Sequence, residues 1–151
     1  MAYSHLLAPT DMSEPSFVAL RSAVELAQRF EAKLTLLHVV VSAASPENID
    51  WRDATKMQIG LADRETIESE KDALEALAAQ HVPDGMKCNT EVLYGEAAEE
   101  IVGLAKSERV DLIVMATHGR TGWRRLIYGS VTQEVLKEIP CPVLCIPRPD
   151  K

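Results

Sequence analysis

Short apolar runs alternate with amphipathic stretches along the whole chain. His5-Leu6-Leu7-Ala8-Pro9, Leu34-Thr35-Leu36-Leu37-His38-Val39-Val40-Val41, Leu112-Ile113-Val114-Met115-Ala116 and Val143-Leu144-Cys145-Ile146 hold few or no polar residues. Unbroken apolar runs of this length predict strands covered on both faces, the situation of a parallel sheet. Cys88-Asn89-Thr90-Glu91-Val92-Leu93 alternates weakly and predicts one further strand, at an edge.

Helices are predicted between the strands. Phe17, Leu20, Val24 and Ala27 recur at helical spacing to about Phe30, with Ser13 as N-cap and Pro15 in the first turn. Leu61, Ile67, Leu74 and Leu77 carry a long charged helix to about His81, ended by Val82-Pro83-Asp84-Gly85. Tyr94-Gly95-Glu96-Ala97 starts a third helix, with Ile101, Leu104 and Ala105 on its inner face. Val131 to Leu136 reads as the fourth, with Ser130 as its N-cap. Strand and helix in alternation predict an α/β fold with a parallel sheet and right-handed crossovers. No repeat or low-complexity tract divides the chain, so 1–151 reads as one domain. Residues 42–58 show no steady period and are read as a functional or mobile connection, in which Trp51 either anchors the segment or closes over a ligand.

Composition narrows the class. With 46% hydrophobic and 26% charged residues over 151 positions the chain is globular and large enough for a real core. No apolar stretch approaches the ~20 residues that span a bilayer. The start, Met1-Ala2-Tyr3-Ser4-His5, lacks the charged and apolar regions of a signal peptide, so a cytoplasmic protein is expected. A net charge of -7 argues against nucleic acid as a partner. Cys141 and Cys145 are four apart on a strand, roughly 13 Å of rise at ~3.3 Å per residue, too far for a disulfide. Cys88 adds no second pair for zinc, and all three are expected to be buried thiols.

The chemistry concentrates after the fourth strand. The run Leu112 to Ala116 breaks into Thr117-His118-Gly119-Arg120-Thr121-Gly122, and Gly129-Ser130 then opens a helix. Strand, glycine-bearing loop and helix N-terminus in that order suit an anion. Glycine lets backbone approach a ligand, and the first-turn amides have no acceptor within the helix. No acidic residue lies between Asp111 and Glu134, whereas Arg120, Arg124 and Arg125 do. A cationic island on an acidic chain fits a phosphate, although three loop arginines are equally read as solvated surface.

The spacing Ala116-x-x-Gly119, nine residues, then Gly129-Ser130 resembles the nucleotide-binding pattern of universal stress proteins, G-x2-G-x9-G-[ST]. Val114 to Gly122 is similar to that family almost residue for residue, with Ala116 where a glycine is usual. The Pro9-Thr10-Asp11-x-Ser13 run also resembles the family, whose aspartate there contacts nucleotide; read without it, Asp11 simply turns the loop. The resemblance spans Leu6 to Pro147. It implies a three-layer, Rossmann-like adenine-nucleotide fold whose five-stranded sheet has the order 3-2-1-4-5. It further implies a nucleotide site that includes Pro9, Thr10, Asp11, Val39, Met115 and Ala116, with Asp11, Val39 (through its backbone) and Met115 holding the nucleoside. His118, Gly119, Arg120, Gly129, Ser130, Val131 and Thr132 belong to the same implied site, in which backbone amides at Gly119 and Ser130 to Thr132 would hold the phosphates, with the hydroxyls of Ser130 and Thr132 as added donors. The cofactor implied is ATP, with Mg2+ bridging its phosphates.

The pattern G-x-x-x-x-G-K-[ST] is absent, and Asp11 and His118 are the candidate bases, neither with a visible orienting partner. An ATP-binding regulatory or sensor protein of the stress response is therefore the first reading. A slow ATP hydrolase using His118 or a metal ion, and a nucleotide-free partner-binding module, are the alternatives. A flavodoxin-like reading meets the objection that Pro9-Thr10-Asp11 contains no glycine. His38 is expected to be a satisfied core histidine. Val143 to Ile146, a terminal apolar strand bounded by Pro142 and Pro147, is expected to pair with a second copy, as the resemblance also implies. The competing reading is that a helix or the segment 42–60 covers that edge.

Overall fold

The structure is a computed structural model that describes residues 3–41, 55–117, 129–138 and 140–147, with residues 55–63 as backbone only. His118, Gly119, Arg120, Arg124, Arg125 and Trp51 lie outside the described residues. In chain order the elements are β1 (His5–Pro9), α1 (Glu14–Phe30), β2 (Lys33–Val40), α2 (Thr55–His81), β3 (Cys88–Tyr94), α3 (Ala97–Ser107), β4 (Leu112–Ala116), α4 (Ser130–Glu138) and β5 (Val143–Ile146).

All four strand pairings are parallel, and the sheet has the order β3-β2-β1-β4-β5. β1 is central, with Leu6 opposite Leu34 on one side and opposite Leu112 on the other. Successive side chains of each strand point to opposite faces, so an apolar run supplies two cores. Leu6, Leu34, Leu36, Leu112 and Val114 pack with Leu20, Ala23 and Val24 of α1 and Leu74 and Leu77 of α2. Leu7, Leu37, Ile113 and Met115 pack on the other face with Ile101, Val102 and Ala105 of α3 and Val135 of α4. This double covering is why β1, β2 and β4 read as continuous apolar sequence.

The structure shifts several local expectations. α4 starts one residue earlier than expected: Ser130 is inside the helix, and the carbonyl of Gly129 accepts the Gln133 N–H at 3.0 Å. Gly129 is therefore the cap; its own N–H donates to the Thr117 carbonyl, a close approach of two backbone segments. Ser13 does precede α1, but its hydroxyl donates to Asp11 Oδ1 and makes no cap bond. α2 begins at Thr55, inside the stretch expected to be irregular. On α3 it is Val102 that is buried with Ile101 and Ala105, while Leu104 sits at the margin of the same core. The three cysteines are free but only half-buried, because Cys88 and Cys145 lie on the two edge strands and Cys141 just before one. Burial still pushes all three thiols up from their ordinary pKa.

The turn after β3 requires its glycine. Gly95 has φ +152, and a Cβ there would lie 2.7 Å from Glu100 Oε1. At the amino end of the sheet, Asp111 Oδ2 accepts from the Ser4 hydroxyl at 2.6 Å, the Ser4 N–H at 2.8 Å and the His5 N–H at 2.9 Å. These bonds, the Ser4 hydroxyl first, hold the carboxyl below its usual range. They pin the start of β1 to the start of β4, at the end of the sheet opposite the cavity.

Candidate functional site

Strand order reverses at β1: the chain runs outward to β2 and β3, then returns to β4 on the other side of β1. Helices leave opposite faces there, and a crevice opens beyond the carboxyl ends of the strands. In this chain it is a cavity of about 250 Å³. Its lining comes from the ends of β1 and β4, the odd-numbered side of β2, and the first residues of α3 and α4.

One wall is apolar: Leu37, Val39 and Val41 from β2 and beyond it, Ala97 and Ile101 from α3, and Met115 from β4. Polar groups gather at the other end, where Thr10, Asp11 and Ser16 meet Ser130 and Thr132. A slot with one apolar side and convergent hydroxyl, carboxylate and backbone groups has the make-up of a small-molecule site. α4 opens onto it, and the first-turn amides of a helix have no intrahelical acceptor. Those amides and the positive end of the helix dipole favour an anion at this end.

The β1–α1 loop is shaped by its own polar side chains. The Ser16 hydroxyl donates to the Ser13 carbonyl at 2.7 Å, so the Thr10 hydroxyl, 2.8 Å from Ser16 Oγ, is the donor in that pair. Thr10 Oγ1 also accepts the Met12 N–H at 3.0 Å. Asp11 Oδ1 accepts the Ser13 N–H at 3.0 Å and the Ser13 hydroxyl. Asp11 thus turns the loop and lines the cavity at once, so the two roles weighed for it are compatible.

Ten of the thirteen expected site residues, namely Pro9, Thr10, Asp11, Val39, Met115, Ala116, Gly129, Ser130, Val131 and Thr132, line this one cavity. His118, Gly119 and Arg120 lie outside the described residues. One expected detail is corrected. Thr132 is buried and its hydroxyl donates to the Ala116 carbonyl at 3.1 Å, so it is not an added donor for a phosphate. Ser130 is exposed at the helix start.

Five lining residues escaped sequence reasoning: Ser16, Leu37, Val41, Ala97 and Ile101. Leu37 and Val41 could have been found, since side chains two apart on a strand share the face of Val39. Ala97 and Ile101 are four apart on one helix face, but only packing shows that this face meets β2. Among the described residues no group of three His, Cys, Asp or Glu could hold a metal ion. Nor is any described helix long and apolar enough to cross a membrane.

Comparison with known proteins agrees with this architecture. The family model described as Universal stress protein family matches residues 2–147. Universal stress protein MJ0531 of Methanocaldococcus jannaschii is 35% identical over 99% of this chain and 85% of its own. Universal stress protein MJ0577 of the same organism is 30% identical over 97% of this chain and 96% of its own. The solved structure of MJ0577 superposes with a TM-score of 0.79 over all of both chains, at 29% identity. Two more distant structures share the fold: a universal stress protein in complex with cAMP, with TM-score 0.66 and 21% identity, and one from Archaeoglobus fulgidus in complex with dAMP, with TM-score 0.59 and 20% identity. Each covers nearly all of this chain. With the family model matched along nearly its whole length, the chain belongs to the universal stress protein family.

Proposed function

We propose that this chain is an ATP-binding universal stress protein, a single-domain cytoplasmic protein that acts as a homodimeric regulator or sensor of the stress response. The observation that carries the reading is the convergence of Thr10, Asp11, Val39, Met115 and the first turn of α4 on one cavity at the strand-order reversal. The apolar slot between Val39, Val41, Ala97, Ile101 and Met115 suits a purine face. The Val39 main chain would read the adenine edge, and Asp11 the ribose hydroxyls. Backbone amides of Ser130, Val131 and Thr132 would meet the phosphates at the positive end of α4. His118, Gly119 and Arg120 would complete that end.

Two chains of this fold hold cAMP and dAMP, so the fold accommodates an adenine nucleotide; ATP is argued from this chain's own cavity. With no acidic cluster among the described residues, Mg2+ would be held by the phosphates themselves, supplying charge neutralisation. Asp11 is the cavity's one carboxylate among the described residues, and it is engaged by Ser13. That favours holding a nucleotide over hydrolysing it.

The test is to purify the protein, denature it, and identify released small molecules by mass spectrometry, then to melt the nucleotide-free protein with added ligand. At a ligand concentration of about 100 Kd the native state gains ~2.7 kcal/mol, a rise of roughly 5–10 °C for a domain this size. ATP with Mg2+ is expected to give that rise, GTP much less, and phosphate release is expected not to continue over many turnovers. No shift at millimolar ATP would remove the binding claim. Sustained phosphate release abolished by His118→Ala would select the hydrolase.

A further inference from the structure

His38 sits behind the cavity rather than in it. Side chains alternate along β2, so His38 lies on the face of Leu36, opposite the cavity-lining Leu37 and Val39. Its Nδ1 is 2.9 Å from the carbonyl oxygen of Thr10. Its Nε2 is 3.6 Å from Glu70 Oε2 on α2. A carbonyl only accepts, so Nδ1 carries a proton and donates it. The register that pairs Pro9 with Leu37 brings Thr10 alongside His38.

Thr10 is consequently held at three atoms. Its N–H donates to the Leu37 carbonyl at 2.8 Å, its hydroxyl to Ser16, and its carbonyl accepts from His38. The backbone beyond it needs such support. Met12 has φ 58, a left-handed conformation that side chains other than glycine adopt at a cost. The Met12 N–H is in turn anchored on Thr10 Oγ1.

We infer that His38 is a positioning residue for the cavity: its Nδ1–H fixes the Thr10 carbonyl, and so the loop that presents Thr10 and Asp11 to a ligand. The inference rests on the reading of the cavity as a nucleotide site. His38 touches no ligand in this role. It acts through the main chain of Thr10.

The test compares wild type, His38→Leu and His38→Asn by titration calorimetry with ATP and Mg2+. His38→Leu keeps bulk and loses the donor, so ATP binds about three- to tenfold more weakly. The side-chain amide of His38→Asn can stand near the place of Nδ1–H and restores binding to within about twofold of wild type. Two readouts need no nucleotide. Above neutral pH, 15N shifts of the wild-type ring report the proton on Nδ1, and the amides of Met12 and Ser13 exchange with deuterium faster in His38→Leu than in wild type. ATP binding by His38→Leu as tight as wild type, a ring protonated on Nε2 alone, or unchanged exchange each overturn the inference. A wild type that binds no ATP overturns the nucleotide reading instead, and ring shifts and exchange then decide the role of His38. If His38→Leu does not fold, the ring shifts and the His38→Asn titration decide it, with an Asn variant more than about tenfold weaker counting against it.

Discussion

The hydroxyl of Thr132, in the first turn of α4, donates to the main-chain carbonyl of Ala116 at the end of β4, 3.1 Å away. This bond joins the two backbone segments on either side of the glycine-bearing loop. It satisfies a carbonyl at the point where β4 ends, and it holds the amides of α4 over the cavity. Thr132→Val has nearly the same shape and lacks the donor. Leaving the acceptor unmet costs about 1–3 kcal/mol, roughly 2–10 °C in Tm, whereas Thr132→Ser keeps most of the stability. Thermal unfolding of the three proteins by circular dichroism checks this. Equal Tm values for Thr132→Val and wild type would show that the bond contributes nothing.

Gly129 is the residue through which the backbone turns into α4, with its N–H on the Thr117 carbonyl and its carbonyl receiving Gln133. It also lines the cavity. A branched side chain at Gly129→Val would project into space proposed for phosphate. The expected outcome is loss of the ATP-induced rise in Tm, together with a fall of about 0.5–2 kcal/mol in intrinsic stability from the poorer cap. Calorimetric titration separates the two effects. ATP affinity equal to wild type in this variant would move the phosphates elsewhere.

β5 is an edge strand, hydrogen-bonded within the chain only to β4 among the described residues, and Leu144 on it is 38% exposed. An apolar edge of this kind is open to pairing with a second copy about a twofold axis. Leu144→Lys is expected to convert a dimer into a monomer at micromolar concentration, read by light scattering after size-exclusion chromatography. Either a monomeric wild type or a mutant that remains a stable dimer would assign the contact to another surface.

Asp111 contributes stability that depends on pH. Its carboxyl is held below the ordinary 3.8 by the Ser4 hydroxyl, the Ser4 N–H and the His5 N–H. A depressed folded pKa means stability that is full above the unfolded value and is lost as pH falls through the folded value. Asp111→Asn removes that dependence and flattens the decline of the urea midpoint on the acid side. The wild type and variant should therefore differ most at neutral pH and converge in acid. A constant difference across the range would assign the effect to lost packing instead of to the charge.

The apolar runs of β1, β2 and β4, without alternation, carried the parallel, doubly covered sheet, because burial on both faces favours apolar residues at nearly every position and admits a polar one only with a partner, as Thr35 with His5. Helical periodicity in α1 likewise reflected contacts made by neighbours three and four apart, which lie side by side on one helix face. The spacing from Ala116 to Gly129-Ser130 marked the loop-to-helix junction, where the Gly129 N–H meets the Thr117 carbonyl and α4 begins. Other features depend on residues that meet only after the sheet assembles. Thr132 was read as a phosphate donor because nothing local says that Ala116, sixteen residues earlier, takes its hydrogen. Ala97 and Ile101 entered the cavity only because α3 packs on the face of β2 that carries Leu37 and Val39. His38 found Thr10 through the β1–β2 register and Glu70 through the placement of α2, partners 28 and 32 residues away in the chain. Periodicity and capping act between near neighbours and so are written locally. Hydrogen-bond partners across the sheet are chosen by register and packing, which are properties of the assembled core.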